Sequence, residues 1–315
     1  MPSTDSTVAP AKPSTPGVAP GSLLAFVHIE KCGGTTLIDT LRRTFCLNHI
    51  DVIPLDRTSM LFTRDDLQRA RRLRPQLASV SGHSVRLHSD LDSQGDQIAY
   101  YTCLRDPIRR YLSEYYYFVE RLGMQPGFPR WLDREDRHNF QTQAIAGAPN
   151  LVSAKAMVDT RFVEVGLLEE YDTFLSRLDS IAASASGQRL LPARGVLNPR
   201  RRQGGLPEPK ELLEKHGDAI IAANALDIAL VEHLKTSHRT ITAAESPSAI
   251  ASTSTSSPSR FPAWLSDHAR LAVYRAYRNL VYKPYVGRLP RTHCLPTYHC
   301  TNVNPPVAPP NRRAA

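Results

Sequence analysis

The chain is 315 residues long, enough for one large domain or two smaller ones. Apolar residues make up 41% and charged residues 22%, proportions that exclude a fibrous protein, a disulfide scaffold and a wholly disordered chain. Lys and Arg number 39 against 30 Asp and Glu, which gives a formal net charge of +9.

No segment approaches the ~20 apolar residues that a membrane-spanning helix needs. The longest early apolar run, Leu23–Val27, has five residues and no basic flank, so it is too short for the apolar part of a secretory signal. We therefore expect either a soluble, cytoplasmic protein or one whose membrane anchor has been removed from this sequence.

The positive charge is concentrated towards the C-terminus. Residues 239–315 contain ten Lys and Arg against two Asp and Glu, a net charge of +8, which leaves +1 for residues 1–238. Such a tail attracts nucleic acid, an anionic membrane surface or an anionic polymer by the same screened Coulomb force, so charge alone does not identify a partner. Within it, residues 263–281 predict an amphipathic helix, either packed on the protein's own core or presented to a partner.

Cysteine usage bears on redox compartment and on metal binding. The count of five is odd, and Cys32, Cys46 and Cys103 are scattered through the expected core, which favours free thiols in a reducing compartment. Cys294 and Cys300, each preceded by a histidine, bring four potential zinc ligands together, but their spacing matches no familiar structural zinc site. We expect these two thiols to be free or oxidised, and no metal to be required.

Composition divides the chain into four segments. Residues 1–20 are rich in Pro, Ser, Thr and Ala and predict a disordered leader, and the Ser/Thr-rich residues 239–260 predict a flexible linker. The ordered domain is expected at residues 21–238, and a basic aromatic segment at residues 261–315.

Hydrophobic periodicity within the ordered domain alternates between strands and helices. Buried strands are predicted at 23–29, 77–81, 98–104 and 162–167, with helices after the first and third strands and over 210–238. Asp106 and Pro107 offer an N-cap and a proline at the first helical position. The alternation predicts an α/β fold, in which a mostly parallel sheet is covered by helices on both faces.

The turn after the first strand is the most informative one. Residues 26–37 read Phe-Val-His-Ile-Glu-Lys-Cys-Gly-Gly-Thr-Thr-Leu. A glycine pair between a strand and a helix lets backbone N–H groups converge on an anion, which the helix dipole also favours. The Walker pattern of ATP and GTP enzymes is absent, because the lysine precedes the glycines. A tight strand-to-helix turn without a ligand explains the glycine pair equally well.

A second informative segment begins at Arg105, where the strand predicted over 98–104 ends. Ser113 follows about two helical turns later, so the guanidinium and the hydroxyl are able to meet one phosphate group. The alternative is that Arg105 pairs with Asp106 or caps a neighbouring helix.

Together these two segments resemble the cofactor site of sulfotransferases that use 3′-phosphoadenosine 5′-phosphosulfate. The closest group is the heparan sulfate 2-O and 6-O sulfotransferase type with its bacterial relatives. Three later segments match the family's pattern in the same order, so that the resemblance covers about residues 23–238: His138-Asn139-Phe140-Gln141-Thr142, residues 165–169 and residues 224–227. Glu30 and Cys32 depart from the proline and threonine that are more usual in the family.

The resemblance implies a P-loop-like three-layer sandwich with a central, mostly parallel sheet, here with a basic C-terminal helical tail. It also implies two groups of donor-binding residues: the 5′-phosphosulfate loop of Lys31, Cys32, Gly33, Gly34, Thr35 and Thr36, and the 3′-phosphate pair of Arg105 and Ser113.

A histidine is the candidate general base. Residues 79–83 predict a strand that ends in Gly-His, and a side chain at that end of an open α/β sheet projects into the ligand crevice. A pKa near ~6.5 suits a base at neutral pH, and the resemblance assigns this role to His83. A structural role is the alternative, and it is the role we expect for His28 and His88.

The sequence therefore predicts an enzyme that transfers a sulfuryl group from 3′-phosphoadenosine 5′-phosphosulfate to a hydroxyl acceptor, which we expect to be a carbohydrate. His83 would remove the acceptor proton, and Lys31 would neutralise charge on the departing phosphate. Two rival hypotheses are a nucleotide-dependent kinase, which would need Mg²⁺, and a catalytically silent protein of the same fold that binds polyanions through its tail.

Overall fold

The computed structural model describes residues 18–92, 95–124, 126–193, 206–244 and 267–289. Its strands are β1 (Leu23–Val27), β2 (His49–Asp51), β3 (Ser79–Gly82), β4 (Ile98–Leu104) and β5 (Phe162–Leu167). Its α-helices are α1 (Gly34–Phe45), α2 (Arg64–Leu73), α3 (Pro107–Leu122), α4 (Phe128–Leu132), α5 (Phe140–Ala146), α6 (Leu151–Thr160), α7 (Tyr171–Ser186), α8 (Pro209–Ala223), α9 (Ala225–Ala244), α10 (Asp267–Tyr277) and α11 (Lys283–Arg288).

Some sequence predictions concern residues outside these ranges. They are residues 1–17 of the predicted leader, residues 245–260 of the predicted linker, and the pair Cys294 and Cys300 with their neighbouring histidines. Those predictions stay predictions.

The five strands form one parallel sheet in the order β2-β3-β1-β4-β5. Val27 at the end of β1 is in register with Gly82 of β3 and Thr102 of β4, so the carboxyl ends of these three strands meet at one edge of the sheet. The predicted α/β class with a central parallel sheet is confirmed. Strand β2 escaped prediction because three residues are too few to show a period.

Helices cover both faces of the sheet. Along β1, Leu24 and Phe26 pack with residues of α1 and α7, while Leu23, Ala25 and Val27 pack with residues of α5, α6 and α9. The alternation follows from the two-residue repeat of a strand, and it produces the three layers that were expected.

Helix α3 begins as its sequence predicts. The carboxylate of Asp106 accepts a hydrogen bond from the backbone N–H of Arg109 at 2.8 Å, and Pro107 occupies the first helical position. The side chain of Asp106 is thus used as the cap of α3.

The basic segment near the C-terminus packs on the body of the protein. Tyr274 of α10 is buried, and its hydroxyl accepts a hydrogen bond from the backbone N–H of Asp51 at 3.1 Å. The carboxylate of Asp51 also pairs with Arg42 of α1 at 2.6 Å and with Arg278 at 2.8 Å.

Of the two alternatives for the helix predicted over 263–281, the structure shows the one that packs on its own core. The packed face of α10 is nevertheless not the predicted one: Leu271, Tyr274 and Tyr277 are buried. Residues of the predicted apolar face are exposed, namely Ala272, Val273, Ala276 and Leu280.

One boundary differs from the expectation drawn from composition. Helix α9 continues to Ala244, six residues into the segment predicted as a linker from residue 239. Residues 239–244 contain neither glycine nor proline, so nothing in them interrupts the helical backbone.

Candidate active site

The loop that joins β1 to α1 folds so tightly that both of its glycines are required. Gly33 has φ = +79°, and a Cβ on Gly34 would collide with the imidazole of His28. Lys31 also has a positive φ, +68°, which is uncommon for a residue with a side chain. The first turn of α1 contains no acidic residue that would compete for an anion at this helix end.

Arg105 lies across this loop. Its Nη1 donates a hydrogen bond to the backbone carbonyl of Lys31 at 3.0 Å, and its side chain is partly buried. The side chain of Ser113 is also partly buried, on α3. Within the described residues, no hydrogen bond joins the side chains of Arg105 and Ser113.

The buried residue Gln141 forms hydrogen bonds both to Arg105 and to the loop. The backbone N–H of Arg105 donates to Gln141 Oε1 at 2.9 Å, and Gln141 Nε2 donates back to the carbonyl of Arg105 at 3.0 Å. The thiol of Cys32 donates to the same Oε1 at 3.4 Å. Gln141 therefore holds the loop and the end of β4 in a fixed relation.

The two late segments of the sequence form the support of Gln141. The carboxylate of Asp227 in α9 accepts hydrogen bonds from the backbone N–H groups of Gln141 and Thr142, at 3.0 and 2.7 Å. Asn139 Oδ1 accepts from the backbone N–H of Leu226 at 2.8 Å. These bonds hold the beginning of α5 against α9. The sequence pattern singled out both segments but gave no indication that they contact each other.

His83 follows β3 directly, at the carboxyl edge of the sheet. Its Nδ1 lies 3.1 Å from the carbonyl oxygen of His28, and because a carbonyl only accepts, Nδ1 carries the hydrogen and Nε2 keeps a free lone pair. The ring stacks on that of His28 with centroids 4.0 Å apart. Burial and the charge of Arg86 lower the pKa of His83 to about 4, although a quarter of its side chain is exposed.

A family model described as "Sulfotransferase family" matches residues 17–183, just over half of the chain. The chain belongs to the sulfotransferase family. The matched region includes the β1–α1 loop, His83, Arg105 and Gln141, and membership supports sulfuryl transfer by this enzyme. No curated protein matches the sequence.

Sequence reasoning considered Glu30 of this sulfotransferase only as the first alternative general base, should His83 prove not to be the base, because Glu30 is an acidic residue beside the glycine loop. Its Oε1 lies 3.8 Å from His83 Nδ1, and its side chain is 12% exposed. Burial, followed by the negative charge of Glu114, raises the pKa of Glu30 to about 7. The sequence did not indicate that Glu30 would lie beside His83.

Sequence reasoning also missed a buried group of charges on α3. Glu114 pairs with Arg110 at 3.0 Å and with Arg137 at 2.8 Å, and all three side chains are at most 2% exposed. Two nitrogens of Arg110, Nε and Nη2, are buried without a hydrogen-bond partner in the part of the chain that the structure describes. The spacing of Arg110 and Glu114, four residues apart on a helix, is also typical of exposed pairs and gave no sign of burial.

Lys31 rests on an aromatic ring. Its Nζ lies 4.2 Å from the centre of the Tyr117 ring, within the range of a cation–π contact. Burial lowers the pKa of Lys31, because a desolvated ammonium is less favourable than a neutral amine. An anion bound in the loop would compete with this ring for the ammonium.

Three further observations complete the description of the sulfotransferase. Cys32, Cys46 and Cys103 are buried free thiols. Among the described residues, no group of three or more His, Cys, Asp and Glu side chains is arranged to hold a metal ion. None of the helices in the described ranges is both long and apolar enough to cross a membrane.

Proposed function

We propose that this sulfotransferase takes its sulfuryl group from 3′-phosphoadenosine 5′-phosphosulfate and transfers it to a hydroxyl of a carbohydrate, as enzymes of the heparan sulfate 2-O and 6-O type do. The observation that carries the proposal is the hydrogen bond from Arg105 to the carbonyl of Lys31. It holds a guanidinium beside the glycine turn, and the donor carries anionic groups at two positions, 3′ and 5′. The carbohydrate acceptor rests on the resemblance of the sequence motifs alone.

The loop would bind the 5′-phosphosulfate. The backbone N–H groups of Gly33, Gly34 and Thr35 and the positive end of the α1 dipole favour negative charge there. The N–H of Thr36 instead donates to the Gly33 carbonyl at 3.2 Å. The hydroxyls of Thr35 and Thr36 are further donors, and Cys32 fixes the loop through Gln141.

Lys31 would leave the ring of Tyr117 to neutralise the charge that develops on the departing phosphate. Arg105 and Ser113 would bind the 3′-phosphate.

His83 would act as the general base. The hydrogen bond from its Nδ1 to the His28 carbonyl leaves the Nε2 lone pair free to accept the acceptor's proton. The pKa of His83, about 4, is lower than the value near 6.5 expected from the sequence, so the ring is neutral throughout the physiological pH range and the lone pair is available without prior deprotonation. The same shift makes this imidazole a weaker proton acceptor than an unperturbed one, so the base needs a group that stabilises its protonated form.

Transfer of labelled sulfate from 3′-phosphoadenosine 5′-phosphosulfate to a panel of glycans, lipids and small phenols tests the proposal. We expect donor-dependent labelling of at least one glycan, and loss of labelling in His83→Ala. Labelling of phenols or lipids alone would contradict the carbohydrate acceptor. Transfer of phosphate from ATP with Mg²⁺, and none of sulfate, would support the kinase hypothesis instead, against which the family match now stands.

A further inference from the structure

We propose that Glu30 is a positioning residue, whose carboxylate stabilises the positive charge that His83 acquires when it takes the acceptor's proton. The inference rests on the proposed role of His83 as general base. It is carried by the approach of Glu30 Oε1 to within 3.8 Å of His83 Nδ1, the ring nitrogen that does not receive the proton.

The carboxyl group of Glu30 is poorly satisfied by the rest of the protein. Its Oε2 is buried and has no hydrogen-bond partner among the residues that the structure describes. Leaving a buried polar atom unpaired costs roughly 1–3 kcal/mol, so a group of this kind needs a reason to persist. The buried cation of Arg86 is one charge that Glu30 offsets, and the charge that appears on His83 during the reaction is a second.

The proton balance shows where that charge arises. The acceptor O–H bond breaks and its proton moves to His83 Nε2, while the acceptor oxygen bonds to sulfur and the bond from sulfur to the phosphate oxygen breaks. The ring then carries hydrogen on both nitrogens and a charge of +1. The carbonyl of His28, which accepts from Nδ1, is neutral and offers no compensating charge. The carboxylate of Glu30 does.

Charged groups from several elements surround this pair. They are Arg86 after β3, Arg110 and Glu114 on α3, Arg137 before α5, and Lys31 in the loop. The titratable imidazole of His28 also faces the pair, since it stacks on the ring of His83, and burial keeps its pKa well below the usual value. Arg86, the nearest in sequence to His83, directs Nη1 to the backbone carbonyls of His28 and Val85. Burial and Glu114 outweigh the arginines, and Glu30 therefore changes its charge near pH 7.

In this arrangement the pH dependence of turnover follows the ionisation of Glu30 and not the titration of His83, the proposed base. Above about pH 7 the pair holds an ionised Glu30 and a neutral His83, the state in which a new imidazolium is stabilised. Below it Glu30 is neutral, and the imidazolium loses its partner. Turnover should therefore fall on acidification through about pH 7, even though His83 remains neutral there.

Nuclear magnetic resonance tests the contact without any substrate. The ring signals of His83, assigned by their absence in His83→Ala, should show an inflection near pH 7 that reports the ionisation of Glu30. The inflection should vanish in Glu30→Gln and persist in Glu214→Gln, a matched change of an exposed glutamate on α8. If the unmodified protein shows no such inflection, the inference is overturned, whether or not Glu30→Gln folds.

Kinetics test the consequence for the reaction. Glu30→Gln should lower kcat by about tenfold to a hundredfold, less than the ~10²- to 10⁴-fold loss expected when the base itself is removed. It should also abolish the acid limb near pH 7, and KM for the donor should change little. An unchanged pH profile would refute the role of Glu30. A loss as severe as that of His83→Ala would support the role only if the acid limb disappears with it, and would refute it if the acid limb is retained.

The two proposals fail in different ways. If no acceptor is sulfated by the unmodified protein, the proposed function fails, while the resonance titration still decides whether Glu30 and His83 are coupled. If sulfate is transferred and the titration shows no coupling, the role of Glu30 alone is wrong.

Discussion

Arg105 and Lys31, separated by 74 residues, are joined by a 3.0 Å hydrogen bond from the guanidinium to the backbone carbonyl. The bond fixes a cation at the end of β4 relative to the loop after β1. Each of these residues is proposed to bind one anionic end of the donor, so the bond also sets the spacing between the two anion sites.

Arg105→Ala should weaken binding of adenosine 3′,5′-bisphosphate by about 1.5–3 kcal/mol, the usual contribution of hydrogen bonds to charged groups. Binding of adenosine 5′-phosphate should weaken less, because that nucleotide has no 3′ group to contact Arg105. Its affinity should change only through the loss of the hydrogen bond from Arg105 to the loop. Isothermal titration calorimetry of both nucleotides measures the difference, and Arg109→Ala, an exposed arginine on α3, is the control. Equal losses for both nucleotides would remove Arg105 from the 3′-phosphate site.

Substitution of Gln141 tests whether its hydrogen bonds to the backbone of Arg105 hold the proposed 3′-phosphate site in place. Gln141→Ala leaves the backbone N–H and carbonyl of Arg105 without their partner, and it should lower the free energy of unfolding by about 1–3 kcal/mol. Affinity for the bisphosphate should also fall, since Arg105 loses its fixed position. Urea denaturation and calorimetry give the two values, with Gln68→Ala on the exposed face of α2 as the control. Normal affinity in Gln141→Ala would show that the loop holds Arg105 without help.

Local patterns in the sequence were sufficient to predict most of the architecture. Strands β4 and β5 match their predicted limits of 98–104 and 162–167, because both are apolar runs bounded by polar residues. The glycine turn and the Asp106 cap depend on neighbouring residues only, and they too were visible in the sequence.

Long-range contacts could not be predicted in this way. The contact of Glu30 with His83 brings together the ends of two strands, and the hydrogen bonds of Asp227 to α5 span more than eighty residues. No local pattern records which polar side chains meet after the sheet has formed. The same limit applies to Glu114, whose burial depends on Arg137 from a distant segment.

The helix near the C-terminus should contribute to the stability of the whole fold. Tyr274 is 1% exposed, accepts a hydrogen bond from Asp51 and lies under the guanidinium of Arg42. Tyr274→Ala should therefore lower the free energy of unfolding by roughly 3–5 kcal/mol, as loss of a large buried aromatic side chain does. The neighbouring Val273→Ala, on a more exposed side of α10, should cost far less in the same denaturation experiment. Similar small losses for both variants would mean that α10 packs only weakly.

Glu30 and His83 also make a prediction about stability and pH. The pKa of Glu30 is raised from 4.5 to about 7 in the folded protein, so the native state binds more protons than the unfolded chain between these values, and this group's contribution to stability falls as pH rises. The pKa of His83 is lowered from 6.5 to about 4, so its contribution instead falls as pH drops through that window. Between about pH 4.5 and 6.5 the two effects oppose each other, because folding in effect moves one proton from His83 to Glu30.

Single variants should expose the two opposing slopes. Relative to the unmodified protein, Glu30→Gln should become progressively more stable as pH rises from about 4.5 to 7, and His83→Ala progressively less stable from about 4 to 6.5. Each full change should amount to at most about 3.5 kcal/mol, given about 1.4 kcal/mol for each unit of pKa difference. Urea denaturation at half-unit pH steps measures the curves, and subtracting the curve of the unmodified protein removes the contributions of other groups. Parallel curves for all three proteins would mean that neither group has a perturbed pKa in the folded state, and the stabilising contact proposed for Glu30 would lose its electrostatic basis.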